Sequence, residues 1–125
     1  MKTIRETAEL FEVSTRTIRY YEEIGLLSPV RTEGNQRLYT SSELAKLKLI
    51  VRGKKYGFSL DEIKEMILLF DKDRTGRKQL ERTIEYGERR IEEIDLKISE
   101  LQQMKSEMRQ LQRMFQQKLE NSKGE

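Results

Sequence analysis

The chain has 125 residues, of which 35% are hydrophobic and 38% are charged, and its formal net charge is +3. This composition leaves room for one small domain with a highly charged surface, and it argues against a large enzyme core. The chain has no cysteine and no histidine, which excludes a disulfide framework, a thiolate nucleophile, a Cys/His zinc site and an imidazole base. We therefore expect no enzyme activity, no metal site and no cofactor.

Charge and hydropathy also bear on location and partners. No apolar run approaches the ~18 residues of a membrane span, and the N-terminal segment MKTIRETAEL lacks the apolar core of a signal peptide. We expect a cytoplasmic protein with no membrane contact. Residues 1–58 hold 11 Lys/Arg against 7 Asp/Glu, whereas residues 59–125 hold 14 against 15. This basic surplus in the first half is typical of a protein that binds phosphates.

Two short helices joined by a short turn are predicted at the N-terminus, over about residues 3–24. The first has apolar side chains spaced i, i+4, i+7, which predicts one buried helical face, at Ile4, Ala8 and Phe11. The second lies in TRTIRYYEEIGLLSP, where cations and two tyrosines precede Gly25, a residue suited to a left-handed helix cap. Helix, turn and basic helix is the order of a helix-turn-helix.

Turn residues divide the next segment. VRTEGNQRLY, over about residues 30–39, predicts a short hairpin that turns at Gly34-Asn35, and we interpret it as a wing. A helix from Thr40 to Tyr56 and another from Ser59 to Phe70 are predicted to follow. The polar segment DKDRTGRK, residues 71–78, then predicts a hinge.

Three helix starts in the first 70 residues match the capping-box spacing. In this motif a hydroxyl and a carboxylate three residues later accept hydrogen bonds from each other's backbone amides. The predicted boxes are Thr3 with Glu6, Thr40 with Glu43, and Ser59 with Glu62.

One long helix is predicted over residues 79–119, followed by a tail at 120–125, because this stretch has no proline and Gly87 is its only glycine up to residue 119. Its apolar positions step by 3, 4, 3, 4 and 3, the a/d pattern of a coiled coil that needs a partner helix. These positions are Ile84, Gly87, Ile91, Ile94, Ile98 and Leu101.

A Met-rich segment, residues 104–115, continues the helix in a shifted register. Met104 follows Leu101 by three residues, which is a stammer in the heptad pattern, and Met108 is the next apolar position. Two interpretations remain open. The segment packs at the end of the dimer, or its adaptable methionines line an effector pocket or a partner surface.

Three linked motifs, TRTIRYYEEIGLLSP, NQRLYTSSELAKLKLI and GFSLDEIKEMI, resemble the MerR family of bacterial transcription regulators. The resemblance implies a mainly α fold, in which a winged helix-turn-helix domain at residues 1–70 precedes a long coiled-coil dimerisation helix. It also implies that this helix pairs antiparallel with its twin in a homodimer. LKLIVRGKKYGFSLDEI and LLFDKDRTGRKQLE further resemble the subgroup that regulates branched-chain amino acid and fatty acid breakdown.

The family mechanism implies a dimer that binds double-stranded promoter DNA, bends and untwists it, and so realigns the sites read by RNA polymerase. The resemblance assigns DNA contacts to the second helix, to the wing and to the end of the next helix, at Thr15, Arg16, Thr17, Arg19, Tyr20, Arg37, Tyr39 and Lys54. Tyr21 is left open between DNA contact and core. Dimerisation is assigned to Ile84, Ile91, Ile94, Ile98, Leu101 and Met108.

Departures from the family pattern are also informative. Glu12 lies in the turn where these proteins usually have glycine, which predicts a strained or reshaped turn. The cysteines of metal-sensing and redox-sensing members are absent, so the chain is not expected to be one of those sensors, and its effector, if it has one, stays unknown. The competing hypothesis is an architectural or chromosome-anchoring protein that uses the same DNA module with a coiled-coil partner.

Overall fold

A computed structural model describes residues 1–122 of the chain. The predicted mainly α architecture is confirmed, and the fold also contains three very short strands. The elements in chain order are β1 (Lys2–Thr3), α1 (Ile4–Phe11), α2 (Thr15–Glu23), β2 (Val30–Arg31), β3 (Arg37–Tyr39), α3 (Ser41–Lys55), α4 (Leu60–Lys72) and α5 (Arg77–Ser122). Of the predicted tail, residues 120–122 belong to α5, and 123–125 lie outside the described residues.

The helix-turn-helix forms where the sequence predicts it. The capping box at α1 is complete, since Thr3 N donates to Glu6 Oε1 at 2.9 Å and Glu6 N donates to Thr3 Oγ1 at 3.2 Å. Glu12 ends α1 in the left-handed conformation, with φ 54° and ψ 42°. This conformation is costly for a residue with a Cβ, so the turn at Glu12 is strained, as the sequence predicts. Ser14 then caps α2 by accepting a 3.0 Å hydrogen bond from Thr17 N.

The wing is a three-stranded antiparallel sheet in the order β1-β3-β2, with Val30 opposite Leu38. Its turn is closed by hydrogen bonds from Thr32 N to Gln36 O at 3.0 Å and from Asn35 N to Thr32 O at 2.9 Å. The two turn residues are Glu33 and Gly34, one position before the predicted Gly34-Asn35 centre, and Asn35 follows them with a φ of 63°. The strand β1 was not predicted, because two residues are too few to show an alternating pattern.

The predicted capping box at α3 is only half formed. Thr40 Oγ1 accepts from Glu43 N at 3.3 Å, as expected. The Glu43 carboxylate instead accepts from Ser28 N at 2.8 Å and from Lys46 Nζ at 3.2 Å. The box fails because Glu43 and Lys46 are both buried, and a buried cation must be paired with a carboxylate. Glu43 therefore links the loop after α2 to α3 through its hydrogen bond with Ser28 N.

Helices α3 and α4 pack closely at Gly53, where a Cβ would lie 2.8 Å from Ile63 Cγ1. A complete capping box starts α4, with Ser59 N donating to Glu62 Oε1 at 2.8 Å and Glu62 N to Ser59 Oγ at 3.1 Å. One apolar core joins the helices to the wing, and its fully buried side chains include Ile18, Leu27, Tyr39, Leu47, Ile50, Ile63 and Met66.

The predicted hinge is shorter than expected. Helix α4 continues to Lys72 and α5 begins at Arg77, so that only residues 73–76 are non-helical. Thr75 shortens the hinge, because its hydroxyl accepts from Arg77 N at 3.3 Å at the start of α5.

The chain divides into two compact units within α5 rather than at the hinge, the first being residues 1–86 and the second beginning at Gly87. The start of α5 belongs to the first unit because it packs against α4. Arg82 Nε donates to Glu65 Oε1 at 2.7 Å, and the Tyr86 ring lies 6.3 Å from that of Phe58. Among the described residues, none of the helices has the length and apolar character needed to cross a membrane.

Candidate nucleic-acid interface

Helix α2 separates a buried face from a charged, exposed face. Ile18 and Tyr21 are buried and anchor the helix in the core. Arg16, Arg19 and Tyr20 are exposed, with Tyr20 48% accessible. Within residues 1–122, neither arginine makes an ion pair or a side-chain hydrogen bond. Three adjacent side chains are thus available on one face for phosphates and base edges.

The two threonines assigned to DNA contact lie in the first turn of α2. Both are half-buried. The Thr17 hydroxyl lies 2.8 Å from Ser14 Oγ, so it is already engaged at the helix cap. Thr15 and Thr17 therefore offer less contact area than Arg16 and Arg19.

Tyr21, which the sequence left open, belongs to the core. Its side chain is 6% exposed, and burial raises the pKa of its hydroxyl. The Tyr20 ring lies 5.9 Å from it in a tilted arrangement. Tyr21 therefore supports Tyr20 rather than sharing its exposed face.

Tyr39 is also buried, and its assignment to DNA contact is wrong for this structure. The side chain is 0% exposed, because β3 is the central strand of the sheet and packs on the core. Burial raises the pKa of its hydroxyl, and the nearby Glu22 carboxylate adds to the effect. Among the described residues, this hydroxyl is buried without a hydrogen-bond partner.

The wing is joined to α2 by an ion cluster around Glu22. Arg37 Nε donates to Glu22 Oε2 at 2.6 Å, and Arg31 Nη2 donates to Glu22 Oε1 at 3.0 Å. Arg31 Nη1 also donates to Asn35 O at 3.2 Å, across the wing turn. Partial burial acts to raise the pKa of the Glu22 carboxyl, but the hydrogen bonds from the two arginines outweigh it and hold the pKa below its usual value.

Glu22 and Arg31 also belong to this site, although no sequence pattern indicates them. Glu22 stands in the acidic pair that ends α2, and Arg31 is an isolated cation on a two-residue strand. No local pattern links them, because the contact joins residues nine positions apart through the fold.

Lys54 is exposed near the end of α3, as its assignment requires. Arg52 and Lys55 are exposed close by, and Lys55 Nζ lies 5.5 Å from the centroid of the Tyr56 ring. The end of α3 therefore carries a small basic surface.

The residues assigned to dimerisation are all exposed in this single chain: Ile84 65%, Ile91 57%, Ile94 41%, Ile98 47%, Leu101 62% and Met108 64%. In the second unit, the exposed apolar face continues through the Met-rich segment. A shallow groove there is lined by apolar side chains together with Lys105, Arg109 and Gln112. Apart from its two chain neighbours and the backbone of its own helix, a Cβ added at Gly87 would meet no atom within 4 Å.

Comparison with known proteins gives two family matches. A model described as "MerR HTH family regulatory protein" matches residues 2–69. A second, described as "MerR, DNA binding", matches residues 44–111. The "HTH-type transcriptional regulator ZntR" of Escherichia coli K12 is 47% identical over 68 residues, which are 54% of this chain and 48% of that protein. The chain thus spans about half the length of this curated relative.

Solved structures match over a longer range. HiNmlR, described as a MerR family regulator lacking the sensor domain and bound to promoter DNA, is 29% identical with a TM-score of 0.60. The match covers 82% of this chain and 76% of HiNmlR. A MerR family transcriptional regulator from Bacillus cereus is 37% identical with a TM-score of 0.53, and the match covers 75% of each chain.

Proposed function

The chain belongs to the MerR family of helix-turn-helix regulatory proteins, and we propose that it is a transcription regulator that binds double-stranded promoter DNA as a homodimer. The observation that carries this proposal is the exposed face of α2, where Arg16, Arg19 and Tyr20 stand on a helix fixed by Ser14 and by the core. These features support the proposal that α2 is a recognition helix.

In this proposal α2 enters the major groove. Arg16 and Arg19 contact guanine edges and flanking phosphates, since arginine donates two parallel hydrogen bonds to guanine. Arg37 in the wing and Lys54 at the end of α3 contact the phosphate backbone. Tyr20, with an exposed ring and hydroxyl, contacts the sugar-phosphate backbone beside the groove.

The dimer is proposed to form through the exposed apolar face of α5. A helix with such a face in water is stabilised by burying it against a second helix. The family relationship favours an antiparallel pair of α5 helices, which places two copies of α2 on one duplex. The solved complex of HiNmlR with promoter DNA supports DNA as the ligand.

Control of transcription is proposed to work through DNA distortion rather than through chemistry. A dimer that bends and untwists promoter DNA changes the alignment of the sites that RNA polymerase reads. Because its ligand is chromosomal DNA, we place the protein in the bacterial cytoplasm.

Footprinting on the promoter region next to the protein's own gene, together with a genome-wide binding map, tests this function. We expect one protected pseudo-palindromic site between the two polymerase hexamers, and few sites elsewhere. Dispersed protection along the chromosome would instead support an architectural or anchoring protein.

A substitution on α2 tests the site itself. Arg19→Ala should weaken binding to the footprinted duplex by about 1–3 kcal/mol, because a bidentate base contact is lost. Arg113→Ala, at an exposed position of α5, is the control and should change affinity little. Equal affinities of the two variants at moderate salt would remove Arg19 from the interface.

A further inference from the structure

The Glu22 carboxylate holds two wing arginines in a specific orientation. It binds Arg37 through Nε, the inner nitrogen of the guanidinium, at 2.6 Å. The two outer nitrogens of Arg37 make no hydrogen bond or ion pair to any residue of the described chain. A guanidinium held by its inner edge presents its outer edge, the edge that forms two parallel hydrogen bonds with a phosphate.

The same carboxylate orients Arg31 and the wing. Arg31 Nη2 donates to Glu22 Oε1 at 3.0 Å, while its Nη1 donates to Asn35 O at 3.2 Å in the wing turn. The side chains of Glu22 and Arg37 are only 21% and 25% exposed, so solvent screens their pairing less than it screens a surface pair. Glu22 thus connects α2, β2 and β3 at one point.

We propose that Glu22 is a positioning residue for DNA binding, which orients Arg37 toward the phosphate backbone and holds the wing in place through Arg31, without touching DNA itself. This inference rests on the proposed function and deepens it. An arginine fixed before binding loses less side-chain freedom when it contacts a phosphate than a mobile one does. An acidic residue therefore strengthens binding to a polyanion, the opposite of what its charge alone predicts.

Positioning and charge predict opposite effects of Glu22 on DNA affinity. Glu22→Gln therefore tests the inference directly, with Glu23→Gln as the matched control. Glu23 is the next residue of α2, is exposed, and has no ion pair within residues 1–122. Each variant removes one negative charge and so reduces repulsion from the DNA phosphates. If charge were the only effect, both variants should bind DNA more tightly. Loss of positioning instead makes Glu22→Gln bind more weakly.

The measurement is affinity of the full-length chain for a mixed-sequence duplex at several salt concentrations, because phosphate contacts do not depend on sequence. Losing one phosphate contact lowers the slope of log K against log salt by about 0.9, which corresponds to roughly eightfold weaker binding at 0.1 M salt. We expect this loss for Glu22→Gln, and equal or slightly tighter binding for Glu23→Gln. Equal or tighter binding by both variants would overturn the inference.

A second background separates positioning from a general loss of structure. In a chain that carries Arg31→Ala and Arg37→Ala, Glu22 has no arginine left to orient, so Glu22→Gln should no longer weaken binding. Weakening that persists in this background means that Glu22 acts through the fold, and it overturns the inference. A wild-type chain that binds no duplex would overturn the proposed function as well, whereas the outcomes above concern Glu22 alone.

Discussion

At the scale of single residues, Gly53 lies where α3 packs closely against Ile63 of α4. A Cβ there would lie 2.8 Å from Ile63 Cγ1 and 3.0 Å from its Cδ1, and the Ile63 side chain is fully buried. Gly53→Ala gains about 1 kcal/mol of helix propensity, but overpacking a well-filled core costs about 1–3 kcal/mol. Because the clash falls on a fully buried side chain, we take the upper half of that range, about 2–3 kcal/mol, and expect a net loss of about 1–2 kcal/mol in the free energy of unfolding.

Urea unfolding of the full chain, followed by fluorescence of the tyrosines, measures this loss. Gly34→Ala is the matched control, since the nearest side-chain atom to its added Cβ is 3.8 Å away. Its stability should stay within about 0.5 kcal/mol of the wild type. If Gly53→Ala were as stable as this control, α3 and α4 would have to move apart at little cost.

Burial of individual side chains was the least predictable property at this scale. Arg16, Arg19 and Tyr20 are exposed as the spacing along α2 predicts, because a helix turns its faces at a fixed period. Tyr39 lies in a mostly polar stretch of the sequence, between Leu38 and Thr40, yet it is fully buried because its strand becomes the centre of a sheet. Its burial depends on β1, which residues 30–39 alone cannot reveal.

At the scale of elements, the pairing of Glu43 with Lys46 joins α3 to its surroundings. The two side chains are 8% and 9% exposed, and Lys46 Nζ also lies 3.0 Å from Asp71 Oδ1 at the end of α4. Glu43→Ala leaves the Ser28 amide without its acceptor and the Lys46 ammonium with Asp71 alone. Removing one partner of a buried pair is strongly destabilising, and we expect a loss of about 2–4 kcal/mol after partial compensation by Asp71.

The measurement is again urea unfolding of the full chain. Glu81→Ala, which breaks an ion pair with Arg77 on the exposed surface of α5, is the control. Surface pairs of this kind contribute little, so it should leave the midpoint unchanged. A Glu43→Ala midpoint equal to that of Glu81→Ala would show that the buried pair is dispensable.

Helix starts were predictable because their signals are local. Thr3 with Glu6 and Ser59 with Glu62 form complete capping boxes within four residues of chain. The box at Thr40 had the same spacing but lost its carboxylate to a partner fifteen residues away in the chain, Ser28. The Glu22 cluster was missed for the same reason. Spacing identifies local hydrogen bonds, whereas competition from distant partners depends on the folded structure.

At the scale of the whole molecule, the second unit presents an exposed apolar face that nothing within the described chain covers. Ile91, Ile94, Ile98 and Leu101 are all more than 40% exposed in the single chain. Contiguous exposed apolar patches of this kind mark interaction sites. The heptad spacing predicts that a second helix covers them, and the homodimer is the proposal that follows.

Ile94→Asp tests that proposal, because it places a carboxylate at the centre of the apolar face in both chains of a dimer. Burying two unpaired charges costs more than such an interface can supply, so the variant should sediment as a monomer at micromolar concentrations.

Leu96→Asp is the matched control. Leu96 is an apolar residue 63% exposed on the same helix, two positions away and outside the a/d pattern, and this variant should remain a dimer. Both variants should keep the helix content of the wild type by circular dichroism, since α5 does not depend on either side chain for its backbone hydrogen bonds. Ile94→Asp sedimenting as a dimer would place the contact on another face of α5, whereas dissociation by Leu96→Asp as well would show that the interface is wider than the heptad face.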